Sequence, residues 1–345
     1  MNNITTIGID LAKNVFQLHG ADASGKRVLR KRIQRSDLGD FIANLPRCLI
    51  GMEACGSSHY WARLFRSYGH EVKLMSPQYV KPYIKTNKND VADAEGIAEA
   101  VTRPNMRFVP IKETYQQDIL CLHKVRERLV GNKTALSNQI RGLLLEYGIS
   151  IPQGGASLRK ILPEIISLEC TKLSAATKAL MQELYEEYLL LTNKVAEYEG
   201  KIVNLAKSNE QCKRLTSIPG IGPITATALY ASLGDVNVFK KGRDLSAWLG
   251  LVPKQSSSGN KIMLLGISKR GNSYLRRLLV QGAHSVMRCV ADKKDKFSRW
   301  LQSLIARSGY NKAAVALANK NARIVWALLN SKESFNYDLA CGYDG

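Results

Sequence analysis

The chain has 345 residues, 45% of them hydrophobic and 23% charged, and its 50 Lys and Arg against 29 Asp and Glu leave a formal charge of +21. This is globular composition with mass for two or three domains; it excludes disorder as the main state, and no apolar run approaches the roughly 18 residues of a membrane span. Seven cysteines (48, 55, 121, 170, 212, 289 and 341) are odd in number and never spaced as CxxC, which argues against a disulfide framework or zinc ribbon and places the chain in a reducing cytoplasm.

Met1 to Gly20 has no basic leader, and Asp10 and Lys13 interrupt its apolar run, so it reads as a first strand over Ile4–Ile9 rather than a signal peptide. Strand-like runs follow at Val15–Gly20 and Arg27–Ile33, with turn residues between them, as in a β-meander. The pattern then predicts a helix over Asp37–Leu45 capped by Ser36, a strand over Cys48–Met52, a helix over Ser58–Tyr68 and a strand over Val72–Met75. Three strands followed by α/β units make a mixed sheet with helices on its faces.

The middle of the chain changes period. Leu122, Val125, Leu129, Leu136 and Leu143 recur every three, four or seven residues. Leu184, Tyr188, Leu191, Val195, Tyr198, Ile202 and Leu205 step strictly by four and three. Two long amphipathic helices, separated by a Gly/Pro/Ser-rich break at Gly148–Ser157, fit an antiparallel hairpin within one chain and a self-associating coiled coil equally well. From Leu215 the chain reads as a compact, mostly helical module ending in a helix over Ala313–Leu329 and a polar tail.

Charge is unevenly spread. Met1–Pro110 holds 16 basic and 10 acidic residues, whereas Lys240–Arg323 holds 18 basic and 3 acidic. A one-sided block points to a polyanion, with nucleic acid ahead of an anionic membrane surface because no long basic amphipathic helix with an aromatic face is present.

Four acids stand out by position. Asp10 closes the first strand in GIDLAK, Glu53 closes the fourth in GMEA, and Asp90 and Asp93 lie three apart in NKNDVADA at a helix start. Clustered carboxylates repel unless a cation neutralises them, and an all-oxygen set suits Mg2+ or Mn2+, the ions of phosphodiester displacement. The plainer readings are a helix cap for Asp90 and a salt bridge for Glu53. An actin-like or sugar-kinase ATPase also starts with an acid after its first strand, but Leu11-Ala12-Lys13 replaces the Gly-Thr turn and no second phosphate loop follows.

Downstream, SIPGIGPITA around Gly220 and Gly222 has the form of a helix-hairpin-helix turn that approaches phosphates through backbone N–H groups. AWLGLVPKQSSSG with Lys254, then Lys261, and ISKRGNSYLRRLL with Lys269, Arg270, Arg276 and Arg277 supply further phosphate contacts or a solvated face. Composition alone makes the Ser-Ser-Ser-Gly run a flexible loop.

Together these blocks resemble the DEDD-type transposases of bacterial insertion sequences (the insertion-sequence-110 family of bridge-RNA-guided recombinases, relatives of the Piv-type invertases), in order from Asp10 to Leu279. The resemblance implies an α/β RuvC-like (ribonuclease-H-like) domain over 1–112, a helical coiled-coil region over 113–210, and a mostly α-helical transposase domain with a helix-hairpin-helix element over 211–345. It implies Mg2+, or Mn2+, on Asp10, Glu53, Asp90 and Asp93, and a serine nucleophile at Ser258, before Gly259, with Ser257 the adjacent competitor. It further implies double-stranded DNA and a non-coding guide RNA as partners, a dimer or tetramer in which one subunit's acids meet another's serine, and residence at the bacterial nucleoid. Two rival classes remain: a Mg-dependent Holliday-junction resolvase in which the serine is idle, and a non-catalytic nucleic-acid-binding protein.

Overall fold

The computed structural model describes residues 3–84, 89–167, 172–259, 261–331 and 335–336. Cys170, Cys341, Asn87 and Lys88 of the NKNDVADA block, and most of the polar tail lie outside them. The chain divides into two compact units, one of Met1–Gln117 with Ser232–Lys240 and one of Asp118–Ala231 with Lys241–Gly345.

The first unit is built on a six-stranded mixed sheet. Its elements are β1 (Thr6–Asp10), β2 (Val15–Ala21), β3 (Arg27–Gln34), α1 (Leu38–Ala43), β4 (Leu49–Glu53), α2 (Ser58–Ser67), β5 (Glu71–Met75), α3 (Pro77–Val80), α4 (Asp90–Val101) and β6 (Phe108–Val109). The spatial order is β3-β2-β1-β4-β5-β6: β1, β2 and β3 form the antiparallel meander, and β1, β4 and β5 run parallel. Ile7, Ile9, Phe16, Leu18, Ile50, Met52 and Leu74 share one buried core with Trp61, Ala62 and Phe65 of α2, as the alternating pattern requires. Ser36 does not cap α1. Its hydroxyl donates to the Asp37 carboxylate, and Asp37 itself stands at the N-cap position.

The opposite face of the sheet receives α4 at very close range. A Cβ on Gly8 would stand 2.2 Å from the Ala94 carbonyl oxygen and 2.4 Å from the Ala98 nitrogen, and one on Gly51 would stand 2.8 Å from Val101 Cβ. Glycine is required at both places, because any side chain would push the helix off the sheet.

The second unit begins within α5 (Thr114–Leu145) and continues through α6 (Gly155–Ile166), α7 (Ala175–Ser208), α8 (Glu210–Thr216), α9 (Pro223–Leu233), α10 (Gly242–Trp248), β7 (Pro253–Ser258), β8 (Lys261–Ile267), α11 (Ser273–Met287), α12 (Lys296–Ser308) and α13 (Tyr310–Asn330). The long helices α5 and α7 run antiparallel within the chain: Arg126 bonds Glu199 near one end and Tyr147 bonds Thr177 near the other. The break between them is not merely a linker, since α6 packs Leu158, Leu162 and Ile165 into a shared core with Leu136, Ile140, Leu144, Met181 and Tyr188. On α7, Tyr188, Val195 and Ile202 are buried and Leu184, Leu191, Tyr198 and Leu205 half-buried, so its heptad holds. On α5 the seam shifts past Leu136: Ile140 and Leu144 are buried while Leu143 is exposed. Among the described residues no helix is long and apolar enough to cross a membrane, and Cys48, Cys55, Cys121, Cys212 and Cys289 are free thiols.

Gly8→Ala is expected to destabilise the first unit by about 1–3 kcal/mol or to displace α4, because the added methyl meets backbone rather than a yielding side chain. Chemical denaturation of the variant beside Gly25→Ala, whose Cβ would meet nothing within 4 Å, checks it after allowance for the strained φ at Gly25.

Candidate active site and nucleic-acid surface

Asp10 and Glu53 end neighbouring parallel strands, each one residue beyond the Ile9–Met52 pair. Asp10 lies two residues from Gly8 and Glu53 two from Gly51, so both carboxylates share the face on which α4 lies. The Cys55 thiol, two residues after Glu53, registers both acids: its pKa is raised first by desolvation, then by the Glu53 and Asp10 charges.

Helix α4 begins at Asp90. Its N-cap is Asn89, whose side chain accepts from the Ala92 N–H at 2.9 Å, so Asp90 is not needed as the cap and stands exposed. Asp93, one turn on, is half-buried, and its Oδ1 is enclosed without a hydrogen-bond partner. An enclosed carboxylate oxygen with no donor is costly unless a cation or water meets it. That orphaned oxygen, together with an all-carboxylate set, fits a hard divalent cation. Among the described residues no three His, Cys, Asp or Glu side chains are gathered closely enough to hold a metal.

Ser258 lies in an ordered hairpin rather than a flexible loop. Strands β7 and β8 pair antiparallel, with Ser257 opposite Ile262 and Ser258 opposite Lys261, and Gly259 turns the chain at φ +55°. The two serines therefore face opposite sides. Ser257 accepts a 3.0 Å hydrogen bond from Gln255 Nε2 on the side of Ile262 and Leu264, which are 73% and 66% exposed. Ser258 shares its side with Lys261, Ser256 and the exposed Met263.

The base of the hairpin is clamped. Ser268 donates its N–H to Val252 and Lys269 its N–H to Gly250. A Cβ on Gly271 would stand 1.9 Å from the Trp248 carbonyl oxygen, and one on Gly250 2.3 Å from that of Arg270. The GLVPK and SKRGN blocks thus form one joint, and Arg276 completes it by donating to the carbonyls of Leu249 and Arg270. Arg277 is ion-paired with Glu127. Lys254, Lys261, Lys269 and Arg270 are exposed.

Of the turn glycines, Gly220 at φ +87° packs against Gly282 of α11, where a Cβ would lie 2.9 Å from the Gly282 carbonyl oxygen. Gly222 is open and exposed.

One polar centre escapes sequence reasoning, because its three members are far apart in the chain. Buried His123 bonds Tyr274 through Nδ1 at 2.9 Å and Thr227 through Nε2 at 3.0 Å, tying α5 to α11 and α9. The Thr227 hydroxyl donates to the Pro223 carbonyl, so it accepts from Nε2–H and leaves Nδ1 to accept from Tyr274. Burial, then the charge of Arg126, lowers the pKa of His123 to about 4.

A transposase profile of the DEDD, IS110 type matches residues 7–149, and a profile described as the transposase IS116/IS110/IS902 family matches residues 212–298. The chain is 48% identical to a probable family 20 transposase of Pseudomonas aeruginosa over 96% of this chain and 99% of that protein. It is 48% identical to the transposase for insertion sequence element IS1111A of Coxiella burnetii, over 97% and 92% respectively. It is 41% identical to the transposase for insertion sequence element IS1328 of Yersinia enterocolitica, over 97% and 100%. The chain belongs to the IS116/IS110/IS902 transposase family. The transposase match at 7–149 covers Asp10, Glu53, Asp90 and Asp93, and the second match covers Ser258 and the cations around it.

Two outcomes test this geometry. His123 is neutral when folded and protonates near 6.5 when unfolded, so stability is full above that pH and falls by about 3 kcal/mol as pH drops from 6.5 to 4. Urea titrations across that range should show the slope in the wild type and its loss in His123→Gln. Gly220→Ala should destabilise the transposase through Gly282 and the positive φ, whereas Gly222→Ala should fold normally and weaken DNA binding, as thermal melts and gel shifts would record.

Proposed function

We propose that this transposase cuts and rejoins DNA through a serine nucleophile beside a divalent-metal site, at places chosen by a guide RNA. The observation that supports the reading is that Asp10 and Glu53 end adjacent strands on the face against which α4 packs, and that Asp93 in the first turn of α4 has a buried carboxylate oxygen without a hydrogen-bond partner. The unit around them is read as a RuvC-like domain over 1–112, the long helices as a coiled-coil region over 113–210, and 211–345 as the serine-bearing domain with a helix-hairpin-helix turn.

Asp10, Glu53, Asp90 and Asp93 would hold Mg2+, or Mn2+, which supplies charge stabilisation for the phosphoryl oxygens. Ser258 Oγ attacks the scissile phosphorus. The serine–phosphorus bond forms as the bond to one sugar oxygen breaks, and the hydroxyl proton passes through solvent to that leaving oxygen. Reversal by a second strand's hydroxyl reseals the backbone with no net hydrolysis. Ser258 suits this role, because Lys261 pairs directly opposite it and can meet a phosphate, while the Ser257 hydroxyl is bonded to Gln255 on the side of Ile262 and Leu264.

Gly222, Lys254, Lys261, Lys269 and Arg270 are assigned to nucleic-acid backbones, with Gly220, Arg276 and Arg277 holding that surface in shape. The working form is a homodimer or tetramer in which the acids of one subunit serve the serine of another. A guide RNA that pairs with donor and target DNA then leaves the protein to hold backbones by charge.

The test incubates protein with the element's flanking RNA, junction DNA and Mg2+ and looks for covalent protein–DNA adducts. Adducts should form with wild type and Ser257→Ala and vanish with Asp10→Ala and Ser258→Ala. Cutting without adduct that survives Ser258→Ala would replace this reading with a resolvase; tight binding with no cutting under any divalent metal would leave a binding protein.

A further inference from the structure

Strand β3 is one of the two edges of the sheet, and Arg27, Arg30, Lys31 and Arg32 on it are all exposed. Successive side chains of a strand point to opposite faces, so the register sorts these cations. Asp10 pairs with Gln17, and Gln17 with Arg32; Gly8 pairs with His19, and His19 with Arg30. Gly8 faces α4, so His19, Arg30, Gln17 and Arg32 lie on the face of the carboxylates. His19 confirms the assignment, because its pKa is lowered first by burial, with Glu95 of α4 raising it and Arg27 and Arg30 lowering it. Glu53, Asp10, Gln17 and Arg32 thus form one row across four adjacent strands.

The other cations of this segment turn away. Lys31 stands over the Phe41 ring at 4.2 Å, and Arg35, just past the strand, stands over Phe16 and Trp61 on the helix-packed side. Among the described residues Arg27, Arg30 and Arg32 make no ion pair. Neighbouring strands are about 5 Å apart, which puts Arg32 about 10 Å from Asp10, roughly three nucleotides along a stacked strand.

We propose that Arg30 and Arg32, with Arg27 beyond them, form a backbone-binding track for the DNA strand that enters the carboxylate site. The proposal rests on the reading of those carboxylates as the cutting site. Its chemistry is charge complementarity between the arginines and the phosphates that flank the reacting one. Cations on an edge strand also deter strand addition by another chain, but that role makes no distinction between the two faces.

The test measures binding of the full-length protein to a labelled four-way DNA junction over a range of NaCl, with Ca2+ in place of Mg2+. Arg30→Gln/Arg32→Gln should reduce the slope of log affinity against log salt by about two, at about 0.9 per lost phosphate contact. Lys31→Gln/Arg35→Gln should keep the wild-type slope. An unchanged slope in the first pair, an equal loss in both pairs, or a loss seen with single-stranded RNA but not with the junction overturns the proposal. Asp10→Asn, assayed for cutting of the same junction with Mg2+ restored, separates the two readings: if the acids are not the cutting site, Asp10→Asn still cuts, whereas failure of the track leaves the slope of Arg30→Gln/Arg32→Gln unaltered in Ca2+.

Discussion

The close approach of α4 to the central strands is the constraint on which the carboxylate site depends. Helices normally stand off a sheet by the thickness of side chains, yet here Gly8 and Gly51 let helix backbone and Val101 come down onto β1 and β4. That approach sets α4, which carries Asp90 and Asp93 in its first turn, against the sheet face that Asp10 and Glu53 share. With Asn89 serving as cap, both acids of that turn are released from local duty. The enclosed Asp93 oxygen is the remaining cost, one that a cation would offset.

The hairpin that carries Ser256, Ser257 and Ser258 is held by the opposite strategy. A two-stranded hairpin is marginal by itself in water, and β7–β8 exposes nearly every side chain along its length. What holds it is its base, where Gly250 and Gly271 let two loops interlock and Arg276 ties their carbonyls. The motif blocks that look like separate signatures in the sequence are the two halves of that joint. The hairpin is therefore exposed along its length and fixed at its base.

A basic chain does not use all its cations alike. Register and partnering divide them: Arg277 is committed to Glu127, Arg276 to carbonyls, and Lys31 and Arg35 to aromatic rings, while Lys254, Lys261, Arg30 and Arg32 remain directed at solvent. Net charge therefore reports the class of partner, and only geometry reports where it is met.

The strands β1 to β5 and the acids that end β1 and β4 were legible in the chain, because alternating burial writes a period of two and a strand end is where that period stops. The heptad of α7 was legible for the same reason at period 3.5, as was the membership of a transposase family. Other features had no local signature. Which helix dips onto the glycines, that Ser257 and Ser258 face apart, that α6 fills the break between the long helices, and that His123 meets Thr227 and Tyr274 are relations between distant residues. Sequence by itself determined the residue types and their local periods; only the tertiary structure decided which of them share a face, because a face is set by register and packing between segments that the chain's order does not place side by side.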